Sequence, residues 1–125
     1  MGLSLYTNDG AVFRIGYINF GHLRWEIAYA VSKELGDAYK AYYLAPPLTE
    51  DQTMKWEAFL AISEKHDKDL IDFLAHSDSF GHLLSSQCRR LYKLFKKLKV
   101  NHDKFPMFLE FLKDAANKRR KVYFC

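Results

Sequence analysis

Leu3-Ser4-Leu5-Tyr6-Thr7-Asn8-Asp9-Gly10-Ala11-Val12-Phe13-Arg14-Ile15 is the stretch that decides the fold class. Leu3 to Thr7 and Ala11 to Ile15 are short runs with β-branched and aromatic residues. Asn8-Asp9-Gly10 between them tolerates positive φ, so the segment predicts a β-hairpin. A hairpin alone is barely stable in water. At the far end of the chain, Val122-Tyr123-Phe124 follows a basic run and has strand composition. It is expected to join the hairpin in a three-stranded sheet. Helical spacing fills most of the rest, so the expected class is α+β: four or five helices on a small sheet made from both termini.

Outward from the hairpin, Gly16-Tyr17-Ile18 leads to Asn19, a predicted cap for a first helix. Phe20, Leu23, Ile27, Ala30, Val31 and Leu35 recur at helical spacing, and Gly36 is expected to end or bend that helix. Pro46-Pro47 breaks the chain. Thr49-Glu50-Asp51-Gln52 then reads as a capping box, with the Thr hydroxyl capping forward and the Gln reaching back. Trp56, Phe59 and Leu60 share a face. The pattern leaves open whether this helix continues past Ser63–Asp67 to Leu70, Ile71, Phe73 and Leu74 or restarts there. His76 to Leu84 has no periodicity and reads as a loop. Ser85 is the predicted cap of a helix with the seam Cys88, Leu91, Leu94, Phe95 and Leu98. After a turn at Asn101-His102-Asp103, a last helix begins near Lys104, with Pro106 tolerated in its first turn.

The 125 residues, 49% of them hydrophobic and 27% charged, suit one globular domain spanning 1–125 and exclude a disordered chain. No apolar run approaches the ~18 residues that crossing a membrane takes. The opening residues lack a basic leader, and Tyr6 stands where a myristoylation motif has Ser or Thr. Cys88 and Cys125 read as reduced thiols, which points to the cytoplasm. Charge is uneven. Residues 1–85 carry seven Lys/Arg against twelve Asp/Glu, net −5, whereas residues 86–125 carry twelve against three, net +9. Such a basic third either meets an acidic partner or is neutralised across the fold.

Three groups could carry chemistry. His76-Ser77-Asp78-Ser79-Phe80-Gly81-His82 is the densest polar cluster. Its histidines and aspartate could hold a divalent metal, or His76 and Asp78 could act as base and orienter. The preferred alternative is a structural turn, with Asp78 bonding backbone N–H groups, Gly81 at positive φ and His76 packed on the hairpin. His22 and Arg24 sit near the start of the first helix. Arg24 could bind an anion, but a strut pairing it with Asp78 is favoured because a buried guanidinium needs a partner. The third group is basic: Arg89, Arg90, Lys93, Lys96 and Lys97, then Lys118, Arg119 and Arg120 with Lys121. A solvated helix face is the first reading there, ahead of a nucleic-acid or protein interface. Asp67, Asp69 and Asp72 read as exposed helix surface. No phosphate loop, Cys-x-x-Cys pair or nucleophile elbow is present, and no cofactor is expected.

Several of these features recur together. They are Met1-Gly2-Leu3 opening a strand, Phe20-x-x-x-Arg24, the loop Leu74-Ala75-His76-Ser77-Asp78-Ser79-Phe80-Gly81, Cys88 one turn into the next helix, and Val122-x-Phe124. In this combination the chain resembles a family of small uncharacterised bacterial and phage proteins. Phe80 replaces the acidic residue usual in that pattern, which weakens a metal site borrowed from it. The resemblance implies fold and origin more than activity. The expected function is a non-catalytic accessory protein of phage or prophage type that binds a macromolecule, a protein ahead of nucleic acid. The rivals are a small enzyme or metal-dependent protein centred on His76 and Asp78, and a nucleic-acid binder using the basic C-terminal segments.

Overall fold

The hairpin forms as β1 (Leu3–Tyr6) and β2 (Val12–Ile15), in a computed structural model that describes residues 3–76 and 81–124. Its turn closes through the Thr7 N–H to the Ala11 carbonyl (3.0 Å) and the Gly10 N–H to the Thr7 carbonyl (3.2 Å). The Thr7 hydroxyl donates to the Asp9 carboxylate, which holds that carboxyl below its usual range. At the other end of the chain, Val122–Phe124 pairs antiparallel with β1, Leu5 opposite Phe124 and Tyr6 opposite Tyr123.

That sheet has four strands, not three. His82–Leu83 is β3, and Val122–Phe124 is therefore β4, in the order β2-β1-β4-β3. The expected loop over 76–84 is corrected at its C-terminal end. A two-residue strand has no period to detect in sequence; pairing with β4 creates it.

Six helices lie among the described residues where four or five were expected: α1 (Tyr17–Val31), α2 (Lys33–Leu44), α3 (Glu50–Ser63), α4 (Lys68–Ala75), α5 (Ser85–Phe95) and α6 (Phe105–Asn117). The extra divisions have local causes. Ser32, extended at φ −164°, separates α1 from α2, and its hydroxyl accepts the Leu35 N–H at 3.2 Å. Gly36 therefore terminates nothing. It lies inside α2, where a Cβ would overlap the Tyr29 ring, and Gly21 of α1 sits likewise beneath Tyr43. These two glycines let α1 and α2 approach closely. Asp67 accepts the Leu70 N–H at 3.1 Å and opens α4, so the central pattern is two helices.

Capping follows the expectation at one site and departs from it at two. Thr49 accepts the Gln52 N–H, and the Gln52 side chain reaches back to the Leu48 N–H at 3.1 Å. Asn19 is not a cap, because α1 starts at Tyr17; its side chain meets His102 Nε2 at 3.0 Å. Ser85 is the first helical residue and not the cap, and Gln87 takes the Leu84 N–H at 3.0 Å. No described helix is long and apolar enough to cross a membrane.

Period-two alternation places Leu5, Phe13, Ile15, Leu83, Val122 and Phe124 on one face of the sheet, all buried. Helices cover that face. Phe13 packs on Phe108 and Phe111 of α6 (5.5 and 6.0 Å between centroids), and Phe124 on Phe20 of α1 (6.2 Å). Phe73 of α4 is the hub, with Phe20, Phe95 and Phe108 around it at 5.4–5.9 Å.

Candidate functional site

The polar loop resolves into histidines with different roles. The His76 ring stacks on Phe124 (4.0 Å, 20° between planes), and its Nε2 lies 3.2 Å from the His82 carbonyl. Gly81 takes φ +95°, and a Cβ there would stand 2.9 Å from His76 Cε1. The positive φ of Gly81 is as the structural-turn reading has it, but His76 packs on the C-terminal strand and not on the hairpin, because β4 and not β2 lies beside β3. Ser77, Asp78, Ser79 and Phe80 lie outside the described residues, and with them the expected Arg24–Asp78 pair. His82 faces the other way, exposed on β3 with its ring 6.0 Å from Tyr123. No group of three or more His, Cys, Asp or Glu side chains converges on a metal position among the described residues.

Arg24 is 6% exposed, as expected for a head group near an apolar stripe. Its surroundings were not legible in sequence. The guanidinium carbon sits 4.2 Å from the Phe20 ring centroid and 5.4 Å from that of Phe73, in cation–π range. Around it Tyr39, Tyr42, Tyr43 and Trp56 help to line a cavity of about 170 Å³. Burial raises the Tyr39 hydroxyl above its usual range, and the Arg24 charge beside it works in the opposite sense. His22 does not join this group. It stacks on Trp25 (4.3 Å) beside a shallow groove with Tyr17 and Ile18.

The basic face divides in two. α5 ends at Phe95, so the tract 89–99 runs out of helix into a turn. Arg90 grips Asp69 through Nε and Nη2 at 2.5 and 3.1 Å, and Gln87 Nε2 donates to Asp72 at 2.7 Å. Asp67 caps α4, so the three aspartates have specific structural partners and are more than exposed surface. Lys93, Lys96 and Lys97 remain exposed at the C-terminal end of α5. Because α5 and α6 run antiparallel, Arg89 lies at the opposite end, its Nη2 3.4 Å from the Ala116 carbonyl. That is where Lys118, Arg119 and Arg120 leave α6. Arg119 takes φ +55°, with its N–H on the Ala116 carbonyl (3.2 Å) and the Arg120 N–H on that of Ala115 (2.9 Å). This double closure is a left-handed C-terminal helix cap, usually made by glycine. Lys118 bridges Asp114 (3.3 Å) and Asp9 (3.5 Å).

The feature that sequence reading missed is the outer face of the sheet. Val12, Tyr6, Tyr123 and His82 each stand directly opposite the next, one row across all four strands. Tyr6 stacks on Tyr123 (5.5 Å, 26°). Val12 is 47% and Tyr6 37% exposed, while His82 and Arg14 are exposed and Tyr123 is half-buried. The alternation in β1 and β2 signals such a face, but the row needs β3 and the pairing register. Comparison with family models, curated proteins and solved structures finds no match to this chain, so its functional reading rests on these residues.

Proposed function

We propose that the chain is a non-catalytic macromolecule-binding module that works through the outer face of its sheet. The observation that carries this is the row Val12–Tyr6–Tyr123–His82. Antiparallel sheets place polar side chains on a solvated face as a rule. Three rings and a valine aligned there contribute little to folding and suit a contact surface, in which tyrosine is enriched. The rival enzymatic reading has less support, because His76, its expected base, is stacked on Phe124 and held at the His82 carbonyl. An accessory role in a phage or prophage is part of the same proposal and rests on the sequence resemblance alone, no family model matching the chain. Cys88, a buried free thiol, suits a reducing compartment such as the cytoplasm.

A photo-crosslinking amino acid at position 12 tests the reading, with the same group at Lys55, exposed on α3, as the control. In host extract the position-12 probe should capture a macromolecule that the position-55 probe does not. Equal capture by both probes, or none by either, would overturn it.

A further inference from the structure

We infer that the outer sheet face binds single-stranded nucleic acid, with bases against Tyr6, Tyr123 and His82 and phosphates along Arg14 and the Arg119–Lys121 turn. The inference rests on the binding-module reading and names its partner. Aromatic rings bind bases of any sequence by stacking, and cations beside them follow the phosphates. Both elements are present here and adjoin. Strands lie ~4.8 Å apart, so Tyr6, on β1, and His82, on β3, are ~10 Å apart across the row, room for two or three bases.

Charge points the same way. The outward positions described on the four strands are Ser4, Tyr6, Val12, Arg14, His82 and Tyr123, and none of them is acidic. Asp9, at the hairpin turn, is engaged by Thr7 and Lys118. Arg14 is exposed beyond one side of the aromatic row. Beyond the other side come Arg119, Arg120 and Lys121, all exposed, with Arg120 only three residues from Tyr123. Arg89, alone of the first basic tract, reaches the same end of α6 through the Ala116 carbonyl, 27 residues away in sequence. Arg119 holds a cation where glycine adopts the backbone conformation more easily, which places a guanidinium at the turn that leads to β4.

Other occupants fit less well. A second copy would set one cationic face against another. The major groove of duplex DNA, ~12 Å wide, admits a helix or a two-stranded ribbon and not a four-stranded sheet face. An acidic peptide would answer the cations and leave the ring row without a role.

Fluorescence anisotropy with labelled 12-nucleotide oligo-dT, oligo-rU and a 12-base-pair duplex, at 50–200 mM salt, tests the inference. Both single strands should bind more tightly than the duplex, and affinity should fall as roughly the second to third power of salt concentration for three or four phosphates neutralised. Tyr6→Ala with Tyr123→Ala should weaken binding by about tenfold or more. Arg14→Gln with Lys121→Gln should flatten the salt dependence, and offers a second route should the tyrosine pair disturb folding. Lys96→Ala with Lys97→Ala, ~20 Å away at the other end of α6, should change affinity less than about threefold. No binding at 50 mM salt, equal binding of the duplex, or unchanged affinity in both sheet-face variants would overturn the inference. A nuclease-resistant protein captured from position 12, with no oligonucleotide bound, would also overturn it while leaving the binding-module reading intact.

Discussion

The two faces of the sheet are made by alternate residues of the same strands, yet they meet different demands. Phe13 and Phe124 point inward, Phe13 onto Phe108 and Phe111 of α6 and Phe124 onto Phe20 of α1 and His76. Tyr6 and Tyr123 point outward and touch chiefly each other and His82. Burial explains the first set completely. The second set is equally aromatic but removes far less surface from water, so stability gives a weak reason for its presence. The difference separates residues that build the fold from residues that the fold displays.

The strongest way to break that contrast is to truncate one ring on each face. Phe13→Ala should destabilise the protein by about 3–5 kcal/mol, the usual cost of an emptied aromatic site in a core. Tyr6→Ala should cost about 1 kcal/mol, since it loses one cross-strand pair. Urea unfolding of the two variants measures both values. Similar losses would mean that the outer row is structural, and the functional reading of that face would go with it.

Cys88 sharpens the contrast from behind the inner face. Burial pushes its thiol from 9.0 up to about 12. Below pH 9 folded and unfolded chains both hold the neutral thiol, so no stability is lost. Between pH 9 and about 12 only the unfolded chain ionises, so the thiol's contribution falls as pH rises through that window. A Cys88→Ala chain should therefore lose stability less steeply than the parent from pH 8.5 to 10.5. At pH 8, peptide mapping should show Cys88 labelled by a thiol reagent only as fast as the protein unfolds. Rapid labelling under native conditions would place Cys88 outside the core.

The smallest effect belongs to the displayed side. Arg119 at φ +55° should be replaceable by glycine with a gain of about 1 kcal/mol, because glycine has no Cβ to crowd the next carbonyl. If the basic corner has the role inferred above, the same Arg119→Gly change should weaken oligonucleotide binding severalfold. Greater stability with undiminished binding would leave the arginine unexplained.

The parts of this molecule that sequence specified are those governed by near neighbours. Asn8-Asp9-Gly10 between two strand-like runs, Thr49 and Gln52 at a helix start, and Pro106 in a first turn each act within four residues, so their signals survive in one dimension. Val122-Tyr123-Phe124 was legible as a strand because a lone hairpin needs a third member. The wider candidate region was legible too, as a polar loop, a buried Arg24 and two basic tracts. Tertiary structure alone decided what became of them. β3 is too short to show a period and exists through its bonds to β4. Ser32 divides two helices whose apolar spacing runs on without a gap, because α2 folds back onto α1 over Gly21 and Gly36. The aromatic enclosure of Arg24, the meeting of Arg89 with the Ala116 carbonyl, and the row from Val12 to His82 all join residues distant in sequence. Such contacts depend on which faces pack and in what register, which is settled by burying the whole core at once and leaves no local trace in the chain.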